Sequence, residues 1–223
     1  MRVLVFCPLH PEYPHLWGRA IQSIFRLEWS YPKEWLFRAN DNPHDCDKDN
    51  ITHNYNIART KLLSGGYDAL LSVEYDMIIP PDALFRLADL DADIAYSLYC
   101  WRRGRHRWSA YTELNGTTGK SICEGPDKGR EVWGKTLDVA GVGLGCTLIK
   151  RRVLEAVKFR VEEPTKAHIS CDWWLAHDAG KLGYSQRADL GVVCGHLSYQ
   201  PTPRIIWPTN EGERHYRIEE IRV

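Results

Sequence analysis

Short apolar runs alternate with helical patterns through the first 98 residues of the chain. Each run stops at polar or turn-forming residues, which is typical of strands buried inside a sheet. Four strands are predicted: Arg2 to Cys7, Glu34 to Ala39, Asp68 to Val73 and Asp93 to Leu98. Apolar positions at helical spacing predict the helices between them: Pro14 to Leu27, Ile51 to Leu63 and Pro80 to about Leu90.

Strands separated by helices of this length favour parallel βαβ units in a doubly wound sheet. No repeat, low-complexity tract or linker divides the 223 residues, a length suited to one core. We therefore expect a single-domain α/β fold with a mostly parallel, mixed sheet flanked by helices.

The second half is patterned less regularly. The polar, aromatic and glycine-rich stretch from Tyr99 to Asp138 predicts hairpins and long loops, and the tail from Leu197 predicts irregular structure. The remaining predicted elements are a glycine-punctuated strand from Val139 to Ile149, helices from about Arg151 to Val157 and from Ser170 to Leu182, and short strands near Tyr184 to Arg187 and Gly191 to Cys194.

Charge and cysteine content narrow the function classes. Lys plus Arg equals Asp plus Glu, 29 each, and this balance argues against a nucleic-acid partner. The local basic run from Arg102 to Arg107 is interpreted as a solvated loop. None of the seven cysteines is spaced as CxxC, and no signal peptide or apolar span is evident, so a cytoplasmic protein is expected.

Polar residues follow several predicted strands directly. Pro8 to His10, Asn40-Asp41 and the pair Glu74 and Asp76 each come just past a strand end, where α/β sheets gather their ligands. Two carboxylates at this spacing suit a hard divalent cation, which typically completes its shell with phosphate and water. The alternative interpretation is that they only cap a loop and the next helix.

Two further residues are candidates for chemistry, and three glycines need a separate interpretation. Asp172 begins a helix, so it either stabilises the helix N-terminus or acts as a general base. His196, after a short strand, is either an ordinary hydrogen-bonded residue or a further metal ligand. Glycines 141, 143 and 145 lack the strand–turn–helix setting of a dinucleotide site and indicate close backbone approach instead.

Four segments, about half of the chain, together resemble the family-2-like glycosyltransferases of GT-A fold. They are RVLVFCP, NYNIARTKLLSGGYDALLSVEYDMIIPPDALFRL, GVGLGCTLIKRRVLEAV and CDWWLAHDAGKLGYSQRADLGVVCGHL. The second is the most specific, because an apolar strand leads into a DxD-like signature and a proline-led helix. Here the signature has Glu74 in its first position, which departs from the common form.

The resemblance implies a metal-dependent transferase using a nucleotide-sugar donor, UDP- or GDP-linked, and Mn or Mg. It divides the domain 1–223 into a nucleotide-binding half (1–98), an acceptor and donor-sugar half (99–196) and the tail (197–223). The implied roles are metal ligands at Asp76 and His196, ribose or metal-bound water at Glu74, catalytic base at Asp172, nucleotide contacts at Pro8, His10, Asp41 and Arg59, and a donor-sugar loop at Gly143.

Reaction by single displacement, with inversion at the sugar, is the favoured expectation. One alternative is a nucleotidyltransferase, although such enzymes usually carry a glycine-rich basic loop after the first strand, where this chain has Pro8 to Glu12. The other is a non-catalytic carbohydrate-binding protein on the same fold.

Overall fold

The computed structural model describes residues 1–9, 17–39, 43–104, 106–163, 169–199 and 202–221. The helices are α1 (Trp17–Phe25), α2 (Asp47–Gly65), α3 (Ala83–Asp89), α4 (Pro126–Val132), α5 (Arg151–Ala156) and α6 (Cys171–Lys181). The strands are β1 (Val3–Leu9), β2 (Lys33–Ala39), β3 (Ala69–Val73), β4 (Met77–Ile78), β5 (Ile94–Leu98), β6 (Ala110–Asn115), β7 (Thr118–Ser121), β8 (Thr136–Asp138), β9 (Gly141–Val142), β10 (Cys146–Lys150), β11 (Gln186–Val193), β12 (Gly195–Ser198), β13 (Arg204–Pro208) and β14 (Tyr216–Glu220).

A seven-stranded mixed sheet is the centre of the fold, in the order β2-β1-β3-β10-β5-β11-β8. β1 runs parallel to β2 and β3, and β5 runs parallel to β11. β10 is antiparallel to both of its neighbours, and β8 is antiparallel to β11. Helices flank the sheet, so the predicted α/β fold with a mixed sheet is confirmed.

The apolar runs of the sequence become strands buried on both faces. Every residue of β3 and β5 is buried, as expected for strands covered by helices. α2 packs on β1 and β3, and α3 packs on β5, β10 and β11. Tyr55, Ala58 and Leu62 lie fully buried on one side of α2, which is why that helix shows the 3.6-residue period.

The prediction of an irregular tail from Leu197 is wrong. β12, β13 and β14 form a four-stranded antiparallel sheet whose other edge is β4. Ile205 and Ile206 in β13 are buried, but proline and aromatic residues around them obscure the strand pattern in the sequence. The two-residue strand β4 is too short for periodicity to predict.

Two other boundaries also differ from the predictions. The expected strand from Val139 to Ile149 is divided into β9 and β10, because the backbone turns at residues 143–145. The two short strands expected at 184–187 and 191–194 form one strand, β11, with an irregularity between Asp189 and Val193. Within 99–138 the predicted hairpin exists as β6–β7, and α4 is an additional helix.

Among the residues that are described, no helix combines the length and the apolar character needed to cross a membrane.

Candidate active site

A tight turn between β3 and β4 carries Glu74 and Asp76 past the edge where the parallel strands end. The Glu74 amide donates to the Gly145 carbonyl at 3.0 Å, and the Met77 amide donates to the Glu74 carbonyl at 3.0 Å. These bonds fix the turn and direct the Asp76 side chain into the interior, so that the residue is only 2% exposed.

Strand pairing places His196 beside this turn. β12 pairs with β4 so that His196 is opposite Met77, and the Leu197 amide donates to the Asp76 carbonyl at 2.7 Å. His196 Nδ1 lies 2.7 Å from the Cys100 carbonyl, an acceptor, so Nδ1 carries the hydrogen. His196 Nε2 then faces Asp76 Oδ2 at 3.4 Å, and these two atoms need a proton or a cation between them.

Arg102 supplies a positive charge at the same carboxylate. Its Nη1 lies 2.6 Å from Asp76 Oδ2. Burial raises the pKa of Asp76, but His196 and Arg102 outweigh burial and hold that pKa below its usual range. The other oxygen, Oδ1, is buried and accepts no hydrogen bond from the described residues. A buried carboxylate oxygen without a donor is costly, and at a site it marks a place for a ligand.

Glu74 lies in a different environment from Asp76, because it is buried next to two other carboxylates. Its Oε1 is 3.4 Å from the Tyr55 hydroxyl, which is itself 2.9 Å from Ser72 Oγ. Burial, followed by the charges of Asp76 and Asp172, raises the pKa of Glu74 to about 8. Burial is the largest cause of this shift, the two aspartates add to it, and Arg102 offsets it only in part.

The first turn of α6 brings Asp172 to the opposite side of the site. Its Oδ1 accepts from the Trp173 amide at 2.8 Å and from the Ser170 hydroxyl. A Cβ at Gly143 would lie 3.1 Å from Asp172 Oδ2 and would overlap the Tyr99 hydroxyl. Gly143 is therefore held to glycine by close approach, as its spacing predicts.

The nucleotide-side predictions have mixed outcomes. Pro8 is half-buried at the end of β1. Its neighbour Cys7 has a thiol whose pKa is raised by burial and then by Asp76 and Glu74, so β1 ends close to the carboxylates. His10 and Asp41 lie outside the described residues.

Arg59 does not reach this edge, which corrects its prediction as a nucleotide ligand. Its Nε donates to the carbonyls of Leu154 and Val157 at 2.6 and 3.1 Å. Those carbonyls belong to the end of α5 and the residue after it, so the guanidinium ties α2 to α5. The position of Arg59 in the sequence does not predict on which face of α2 its side chain lies.

Arg102 and Tyr99 were not among the predicted site residues. The prediction of a solvated loop is correct for Arg103 and Arg107, which are exposed, but it is wrong for Arg102. Its position shortly after β5 could have indicated a site role, because β5 ends at the same edge as β1 and β3. Tyr99 is nearly buried, and its ring packs edge-on against His196 with centroids 5.4 Å apart.

Within the described ranges, no group of three or more His, Cys, Asp and Glu side chains is arranged to hold a metal ion. Asp76 and His196 form a two-residue arrangement only, with Arg102 contacting the same carboxylate.

Comparison with known proteins shows the fold and nothing finer. No protein-family description matches this chain, and no curated protein matches its sequence. Its structure is similar to that of A197 from STIV, with a TM-score of 0.58 and 18% identity, over 100% of this chain and 96% of that one. At this identity the likeness concerns the arrangement of strands and helices, and the function must come from the site.

Proposed function

We propose that this protein is a metal-dependent glycosyltransferase of the GT-A type, which moves a sugar from a nucleotide-sugar donor to an acceptor hydroxyl. The observation that carries the proposal is the buried, unpartnered Oδ1 of Asp76 at the sheet edge where α/β folds bind ligands. Glu74, Asp172 and His196 come to the same edge from separate parts of the chain.

The residues present fit a divalent cation shared with a diphosphate. Asp76 offers a carboxylate oxygen and His196 offers Nε2 on the same side of the turn. Such cations are commonly held by one or two protein groups, with phosphate oxygens and water completing the shell, so a third protein ligand is not required. A cation bound here would neutralise charge on the departing diphosphate.

Asp172 acts as the general base in this mechanism. Its carboxylate accepts the proton of the acceptor hydroxyl as that oxygen attacks the anomeric carbon. The bond from the anomeric carbon to the diphosphate breaks, and its electron pair leaves with the nucleoside diphosphate. Gly143 lets the backbone pass close to Tyr99 and Asp172, since a Cβ there would meet both side chains. Single displacement inverts the sugar.

Three other residues bind the donor. Arg102, 35% exposed over its side chain, turns from Asp76 toward the phosphates when they arrive, because a guanidinium pairs well with phosphate oxygens. Glu74 accepts from a ribose hydroxyl or a bound water. Pro8, at the end of β1, packs against the nucleotide base.

A nucleotide-release assay tests the proposal. Nucleotide sugars with UDP, GDP, CDP and dTDP leaving groups are incubated with the protein, and free nucleoside diphosphate is measured. We expect release from one donor class that stops with EDTA and returns with Mn²⁺. The proposal fails when no donor is cleaved in the presence or absence of any metal.

Asp172→Asn separates chemistry from binding. We expect transfer to fall by roughly 10²- to 10⁴-fold, while the donor still stabilises the variant against heat. Asp178→Asn is the matched control, because Asp178 lies on the same helix but pairs with Arg160. Equal activity in both variants would remove Asp172 from the mechanism.

A further inference from the structure

Three aromatic side chains form a row beside the candidate active site. The ring centroids of Trp101 and Tyr111 are 6.5 Å apart, and those of Tyr111 and Trp173 are 5.5 Å apart. Trp101 is 48% exposed, and the other two are half-buried. An indole this open to water leaves apolar area that a ligand can cover.

The row is held rigidly. Trp173 Nε1 donates to the Gly116 carbonyl at 2.8 Å, which joins the start of α6 to the tip of the β6–β7 hairpin. Any Cβ at Gly119 would collide with Tyr111 and lie 2.9 Å from Trp173. Tyr111 is further fixed because it pairs with Gly141 between β6 and β9. Preformed aromatic surfaces bind at low entropic cost.

The aromatic row lies next to Asp172, the proposed base. Trp173 directly follows Asp172, and Asp172 also lies close enough to Tyr111 to influence it electrostatically, adding to the rise that burial causes in the pKa of Tyr111. On the other side, Trp101 directly precedes Arg102, the residue that contacts Asp76. The row therefore borders the place where an acceptor hydroxyl must lie.

We propose that Trp101, Tyr111 and Trp173 form the acceptor subsite, and that the acceptor is a sugar ring of a glycan. This inference rests on the proposed function and names its acceptor class. The apolar C–H face of a pyranose covers an aromatic ring well, while its hydroxyls point to the ring's margins, where Asp172 can accept a proton.

Close to Asp172 the row suits a neutral sugar better than a lipid phosphate, and the exposed Arg103 and Arg107 follow Trp101 in the chain. The row itself is uncharged, and the charged groups that influence Tyr111 are Asp172 and, secondarily, Arg107. A phosphate held beside Asp172 would be repelled at the position where the base must work.

Binding of saccharides without any donor tests the proposal directly. Maltohexaose, cellohexaose, chitohexaose and mannohexaose are titrated by calorimetry and by tryptophan fluorescence, beside a Ser/Thr-rich peptide and polyprenyl phosphate vesicles. We expect saturable binding of at least one saccharide. Trp101→Ala and Tyr111→Ala should each weaken it tenfold or more, and Tyr111→Phe should weaken it less because the ring remains.

Tyr31→Ala is the matched control. Tyr31 is 56% exposed and lies just before β2, at the opposite end of the sheet from the site, so this variant should bind as the wild type does. Failure of all four saccharides to bind, wild-type affinity in Trp101→Ala, or binding of only the peptide or the lipid phosphate would each overturn the inference.

The same preparations keep the two proposals distinguishable. Metal-dependent nucleotide release without saccharide binding overturns the acceptor subsite and leaves the transferase intact. Saccharide binding that depends on Trp101, with no nucleotide release from any donor, supports the sugar subsite and removes the transferase.

Discussion

Two buried aspartates in this fold each contact an arginine, yet their surroundings differ. Asp189 and Asp76 have side chains that are 8% and 3% exposed, and their partners Arg86 and Arg102 are 38% and 35% exposed. Both oxygens of Asp189 are bonded: Arg86 donates from Nε and Nη2 at 3.0 and 2.8 Å, and the Gly191 amide donates at 2.8 Å. In Asp76, Oδ2 contacts Arg102, whereas Oδ1 accepts no hydrogen bond from the described residues.

The pair of Asp189 with Arg86 therefore stabilises the fold, whereas the pair of Asp76 with Arg102 leaves one carboxylate oxygen available to a ligand. A forked, fully bonded pair offsets the desolvation of its charges. A carboxylate with one oxygen that accepts no hydrogen bond retains part of its desolvation cost in the folded state, as functional sites commonly do. The comparison predicts that Asp189 matters to stability and Asp76 to chemistry.

The largest expected effect is on turnover in Asp76→Asn. Loss of one charged ligand to the cation should lower metal-dependent nucleotide release by about 10³-fold, the scale seen for a lost electrostatic stabiliser of a transition state. Circular dichroism should show an unchanged fold. Asp189→Asn should release nucleotide within about twofold of wild type, and a comparable loss in both variants would erase the distinction.

Stability should change in the opposite order. Asp189→Asn leaves the Arg86 fork without its carboxylate and should lower the free energy of unfolding by about 1–3 kcal/mol, a fall in Tm on the order of 5 °C. Asp76→Asn removes the charge that Arg102 pairs with, and the lowered pKa of Asp76 shows that the folded state favours this charge. Its Tm should therefore fall, but less than in Asp189→Asn, because Oδ1 of Asp76 has no hydrogen bond to lose. Thermal unfolding followed by circular dichroism measures both, and a lower Tm for Asp76→Asn than for Asp189→Asn contradicts the comparison.

The smallest expected effect is on metal binding without nucleotide. Arg102 contacts the carboxylate that the cation would use, so Arg102→Met should raise the affinity for Mn²⁺ about tenfold, or about 1.4 kcal/mol. The increase is measured from the signal of free Mn²⁺ by electron paramagnetic resonance. Arg86→Met should leave the affinity unchanged, and equal values in the two variants would show that Arg102 does not compete with the metal.

The first half of the fold was predicted well because β3 and β5, and most of β1, are buried on both faces. The continuous apolar runs around Leu4 and Leu71 predict buried strands, and the polar residues after these strands lie at the edge of the sheet. The structure brings Glu74, Asp76, Asp172 and His196 close together, and their chemical roles stay predictions.

Predictions failed where a side chain or strand is fixed by distant partners. Arg102 lies in a basic run, and only its position shortly after β5 points to the site, because its contact to Asp76 depends on how the chain after β5 folds back. Arg59 bonds carbonyls almost a hundred residues away. β13 pairs with β12, and β14 pairs with β13, and nothing in the pattern of either strand requires these pairings.

Thermal stabilisation by nucleotides tests the central claim most directly. UDP, GDP, CDP and dTDP are each added with and without Mn²⁺ to the wild type, Asp76→Asn and Asp189→Asn, with a metal-only control. A nucleotide at 100 times its dissociation constant should add about 2.7 kcal/mol. The account predicts a shift with one nucleotide that requires Mn²⁺, persists in Asp189→Asn and disappears in Asp76→Asn. It is contradicted by a shift that survives in Asp76→Asn, or by no shift with any nucleotide.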